Sequence, residues 1–251
     1  MTSPGRWKKL FRRLCALPEP AMRREVLIEL VERLEPEDVL DLLGEVTAGV
    51  SRRSASHLLV FEAISQMILA GQQRGHLYEL LAEVYRLALD RGLEEVSQIL
   101  MIAKPQRGPV PEKEAPGDLE MSQLTLGERK FLARGRDRYR LERLLLDPNP
   151  AVLRNLLRNP NLVEQDVVRL ASRRPVRAEV LREVHESRWG RRYRVRLALV
   201  YNPYTPTEVS IKLLAFLLHR DLRSVAADGG LHELVRRQAR RLVALRKRED
   251  D

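Results

Sequence analysis

The sequence is short of several things at once, and each shortage removes a class of protein. One cysteine, Cys15, among 251 residues excludes an internal disulfide framework and any cysteine-built zinc site. It fits a reducing compartment, so a cytoplasmic location is expected. No apolar run is long enough to span a bilayer: "HLLVFEAISQMILAG" at 57–71 carries Glu62 and Gln66 and stops short. The N-terminus lacks the apolar core and small-residue cleavage site of a signal peptide. There is no HExxH, Walker loop, GxGxxG or GxSxG. The five histidines, 57, 76, 185, 219 and 232, are scattered. His185–Glu186 and His232–Glu233 are chain neighbours, which point in different directions on a helix. Glu37, Asp38 and Asp41 sit where a helix begins, and its dipole favours carboxylates there. Cys15 has no nearby base and reads as a packed thiol. No catalytic residue, cofactor site or metal site is expected, and the chain does not read as an enzyme.

What is present points to helices. Aromatics are only 5% of the chain, while Leu, Arg, Glu and Ala are plentiful and lose little rotamer freedom in a helix. The length suits one large or two modest domains with a sizeable core. The net charge of +10 is uneven. Residues 1–20 carry five Lys/Arg and one Asp/Glu, residues 21–120 carry 11 and 18, and residues 121–251 carry 29 and 16. Such asymmetry suggests a basic binding surface, or attraction between the halves.

Four segments follow. Residues 1–17 form a short basic amphipathic helix. Trp7, Leu10, Phe11, Leu14 and Cys15 share one face, and Lys8, Lys9, Arg12 and Arg13 fill most of the rest. This helix either packs on the acidic region after it or meets a membrane surface or acidic partner, with Trp7, Lys8, Lys9, Phe11, Arg12 and Arg13 as contacts. Residues 18–103 form an acidic helical domain. Its stripes include Val26, Leu27, Leu30, Val31 and Leu34, then Val39, Leu42, Leu43 and Val46, then Leu77, Leu80, Leu81, Val84 and Ala88. The helix near 52–71 is apolar nearly all round and should be central. Residues 104–122, with four Pro and two Gly, read as an exposed linker. Residues 123–251 form a basic helical-repeat domain that opens with a capping box, Thr125 and Glu128.

The repeat rests on Asn-Pro corners. "LLRNPNLVEQDVVRLA" at 156–171 returns as "LVYNPYTPTEVSIKLL" at 199–214, a shift of 43 residues. It carries Asn159 onto Asn202, Val152 onto Val195, Leu156 onto Leu199 and Val168 onto Ile211. Proline disfavours helix in the residue before it, so one helix stops at each Asn. Asn161 or Thr205 then caps the next helix, with Glu164 or Glu208 in its first turn. Asn149 and Pro150 use the same grammar, and Asp228-Gly229 stands in a third echo, with Leu222, Val225 and Ala226 inward. A 43-residue step lies in the range of two-helix repeats.

The "NPYTPTEV…LL…DLRSVAAD" run resembles the leucine-rich repeat variant and HEAT-like α-solenoid proteins over roughly residues 140–246. The resemblance implies stacked short helices. The iron–sulfur cluster that can accompany the variant does not carry over, since this chain has one cysteine. The expected fold is therefore all-α, an N-terminal helical domain followed by an α-solenoid.

"RRPVRAEVLREVHESRWGRRYRVRLALVYNPY", residues 173–204, holds nine Arg against three Glu, with Trp189, Tyr193, Tyr201 and Tyr204 interleaved. Arginine grips phosphate or carboxylate and aromatics stack on bases. Arg173, Arg174, Arg177, Arg188, Trp189, Arg191, Arg192, Tyr193, Arg194 and Arg196 are the expected binding surface. The first functional expectation is a non-enzymatic scaffold or adaptor for an acidic protein. The second is a nucleic-acid-binding protein, which HEAT-like DNA alkylation-repair glycosylases resemble in outline.

Overall fold

The computed structural model describes residues 6–71, 74–101, 105–111, 114–115 and 117–250. Among them the regular structure is helical, with no strand. The chain divides into two compact units, Met1–Ile102 with Leu242–Asp251, and Ala103–Arg241.

The first unit contains α1 (Lys8–Ala16), α2 (Pro20–Val31), α3 (Pro36–Ser51), α4 (Ala55–Gly71), α5 (Gly75–Asp90) and α6 (Glu94–Leu100). α4 is central, in contact with α1, α2, α3 and α5, as its all-round apolar sequence predicts. Proline at the first position starts α2 and α3, where the missing N–H removes no helical bond. Two helices end in left-handed residues, Arg53 at φ 54° after α3 and Gly92 at φ 66° after α5. In both corners the next amide reaches back to close the turn, Ser54 to the Gly49 carbonyl and Leu93 to the Ala88 carbonyl. Gly49 is required by contact: a Cβ there would lie 2.0 Å from the His57 ring. The α5 stripe is buried as expected. In α2 the buried set is Leu27, Ile28 and Val31, with Val26 and Leu30 only half-buried. Cys15 is exposed, not packed.

The second unit contains α7 (Leu119–Ser122), α8 (Leu126–Leu132), α9 (Arg138–Leu144), α10 (Pro150–Arg158), α11 (Glu164–Ser172), α12 (Ala178–Glu186), a 3-10 turn (Arg188–Arg191), α13 (Tyr193–Tyr201), α14 (Thr207–Leu214) and α15 (His219–Ala227). α16 (Glu233–Asp250) closes the chain. The segment expected as a linker ends in structure: Asp118 caps α7 by accepting the Glu120 and Met121 amides at 3.0 Å each, and Met121 is buried.

Several short helices meet the helix two further on. α8 touches α10, α10 touches α12, and α11 touches α13. α9, α11, α13 and α15 begin at residues 138, 164, 193 and 219. The 43-residue shift therefore spans three helices, carrying α10 onto α13, and is not the length of a helix pair. It lines up because Asn159 and Asn202 do the same work. Both are buried. Asn159 Nδ2 donates to the carbonyls of Ala133 (2.9 Å) and Gly135 (2.7 Å). Asn202 Nδ2 donates to those of Ala171 (2.7 Å) and Arg173 (2.8 Å). Each Oδ1 accepts the amide two residues on, from Asn161 and Tyr204. Each asparagine thus turns its own corner and clamps the end of an earlier helix. Asp228 makes the same local turn with the Gly230 amide at 2.9 Å.

The expected caps hold at Thr125, a complete capping box with Glu128, and at Asn149, which accepts the Ala151 amide. They do not hold at Asn161 and Thr205. α11 starts after Val163, whose amide is taken by Asp166 Oδ2, and α14 starts after Pro206. Thr205 instead points its hydroxyl at the Leu199 carbonyl, 2.6 Å away.

Candidate interaction surface

The arginine-rich segment runs from the end of α11 through α12 and the 3-10 turn to α13. Most of its expected contact residues are engaged by groups of the protein itself. Carbonyls at helix C-termini lack helical partners and carry the negative end of the dipole, which guanidinium groups complement. Arg173 donates to the Leu145 (2.6 Å) and Leu146 (3.1 Å) carbonyls after α9, and its burial lowers its pKa. Arg177 reaches the Pro148 carbonyl (3.4 Å), and Arg174 the Tyr201 carbonyl at the end of α13. Arg188 donates to the Asn159 carbonyl (3.0 Å) and lies 4.7 Å over the Trp189 ring. Trp189 is buried, its indole N–H bound to the Leu157 carbonyl at 2.9 Å. The turn that positions it needs Gly190, where a Cβ would fall 1.9 Å from the His185 carbonyl. Arg196 binds the Gly190 carbonyl (3.0 Å) and stacks 4.0 Å over Phe216. Tyr193 donates to Asp221 of α15 and accepts the Leu218 amide, and burial, then Asp221, raises its pKa.

Five expected residues are exposed: Arg174 and Arg188, each held to a carbonyl, and Arg191, Arg192 and Arg194. Arg192 and Arg194 have no side-chain partner among the described residues. The Tyr193–Asp221 bond joins the start of α13 to that of α15, where Arg220 and Arg223 are also exposed. The outcome is a basic patch across two neighbouring helix starts.

Sequence reasoning missed a set of ties between helices two apart. Arg138 of α9 grips Asp166 of α11 through two bonds of 2.6 Å. Arg154 of α10 binds Glu183 of α12, and Arg182 of α12 binds Glu208 of α14 at 2.7 Å. The acids are the enclosed partners: the Asp166 side chain is 0% exposed and that of Glu208 2%. Burial pushes the Asp166 carboxyl up, but Arg138 and the Val163 amide bring it below its ordinary value. The signal was an Arg-to-acid offset of 28, 29 and 26 residues.

A second cluster lies inside. Lys212 of α14 is 1% exposed, and its Nζ has no hydrogen-bond partner among the described residues. Burial, helped by Arg182 and opposed by Glu208, lowers its pKa to about 8. His185 lies within its electrostatic reach, with Nδ1 enclosed and its pKa pushed down to about 4 by burial, then by Lys212 and Arg196.

On α1, Trp7, Phe11 and Leu14 are buried, so its expected apolar contacts are not offered to a partner. Lys8, Lys9, Arg12 and Arg13 are exposed. Clefts also open on each unit. One, about 490 Å³, lies between α7, α8 and α9 beside the exposed Phe131. Another, about 210 Å³, lies among α4, α5 and α6. No group of three or more His, Cys, Asp or Glu among the described residues has metal-holding geometry. No helix among them is long and apolar enough to cross a membrane. No known protein family, curated protein or solved structure matches this chain.

Proposed function

We propose that this chain is a non-enzymatic scaffold or adaptor of the cytoplasm. Its second unit is a HEAT-like stack that binds an acidic protein through the patch at the starts of α13 and α15. Support for the stack comes from helix-to-helix ties that recur two helices apart and from the repeated asparagine clamp. Support for the patch comes from one contrast. Most arginines of residues 173–204 are engaged by carbonyls or acids, whereas Arg192 and Arg194 are exposed and unpartnered among the described residues.

An acidic protein is favoured over nucleic acid because the two aromatic side chains set among the exposed arginines, Trp189 and Tyr193, are engaged. A nucleic-acid groove needs rings free to stack, and here Trp189 is buried and Tyr193 is tied to Asp221. The test uses the whole chain with Arg192→Glu and Arg194→Glu together. Both sites are exposed, so stability should move by less than about 0.5 kcal/mol. Binding to an acidic polypeptide such as polyglutamate should weaken with salt and disappear in the variant. Tight binding to a DNA or RNA duplex at ~50 mM salt, with none to the acidic polypeptide, would overturn the reading.

A further inference from the structure

We propose that α1 holds the chain against anionic lipid bilayers by electrostatic contact alone, through Lys8, Lys9, Arg12 and Arg13, with its apolar side kept inside the first unit. This surface is separate from the basic patch of the second unit.

The two sides of α1 have been assigned opposite tasks. Trp7 (8% exposed), Phe11 (6%) and Leu14 (0%) face the protein. The Phe11 ring meets His57 of α4 edge-on at 4.9 Å. Both ends of the helix are tied down: Arg6 pairs with Asp38 of α3 at 2.5 Å, and Arg23 of α2 donates to the Leu17 carbonyl at 2.9 Å. An amphipathic helix held this way has no apolar side to insert. At 100° per residue the four cations fall on the opposite side. All four are exposed, and none has a side-chain partner among the described residues.

A bilayer suits this side better than a protein does. Protein interfaces are anchored by a buried apolar or aromatic centre, and the outer side of α1 offers only cations bordered by Cys15 and Ala16. A flat, diffuse anionic surface needs no such centre. Each Lys or Arg near it strengthens binding about fivefold.

The experiment is co-sedimentation of the full chain with phosphatidylcholine vesicles, with and without about 30% phosphatidylserine, at ~50 mM salt. A polarity-sensitive dye on Cys15, the sole cysteine, reports depth. Binding is expected only to the anionic vesicles, with loss at ~0.5 M salt and the dye remaining in a water-like environment. Lys8→Gln with Arg12→Gln should weaken it about 25-fold, and neutralising all four residues several hundredfold. Arg192→Glu with Arg194→Glu should leave it unchanged, so this proposal and the preceding one fail separately. Equal binding to neutral vesicles, undiminished binding by folded neutralised variants, or a dye signal from hydrocarbon would each overturn it.

Discussion

Lys212 is a buried ammonium without a hydrogen-bond partner among the described residues, and such a group is costly wherever it stays charged. Its pKa of about 8 lies below the ordinary 10.5, so the folded chain binds fewer protons than the unfolded one between those values. Stability from this group therefore rises as pH increases from about 8 to 10.5. Lys212→Met removes the buried charge and leaves the Arg182–Glu208 pair intact. It should stabilise the chain by about 2 kcal/mol at neutral pH and flatten that alkaline slope, as read by urea denaturation across pH. The asparagines test the opposite case. Asn159→Ala strands two carbonyls and an amide and should cost about 2–3 kcal/mol, whereas Asn161→Ala, at an exposed site, should cost under about 0.5 kcal/mol. Thermal or chemical unfolding of the two variants separates them. The Asn-Pro pairs were visible in the sequence as helix stops. Their amide clamps were not, because the accepting carbonyls lie 24 to 31 residues earlier and belong to no motif. Trp189 was misplaced for a similar reason: an indole among arginines looks like a stacking platform until a glycine turn folds it inward.

At the level of helices, legibility depended on length. α2 to α5 span 12 to 17 residues, enough turns for an apolar period to stand out. α8 to α15 span seven to nine, so two or three apolar residues define each face and the pairing of helices cannot be counted from them. The offset of 43 therefore caught a repeated corner and missed the true neighbour relation. The Arg-to-acid ties carry that relation. Arg138→Ala should leave Asp166 buried without its cation. Because the Arg138 side chain is 43% exposed and screened by solvent, the cost should be about 2 kcal/mol. Arg138→Lys should recover only part of it, since an ammonium cannot make the paired bonds. A double-mutant cycle with Asp166→Asn checks that the loss belongs to the pair.

For the whole molecule, charge is the property the sequence displayed most directly, yet its use was hidden. The segment with nine arginines spends most of them on holding helices together and leaves a small patch outward. The clamps and ion pairs of the second unit reach back about two helices and seldom further. That confines its contacts to short separations along the chain, and low contact order speeds folding. The second unit should therefore refold in milliseconds or less, starting from any adjacent pair of helices, and stopped-flow refolding from urea is the measurement that checks this.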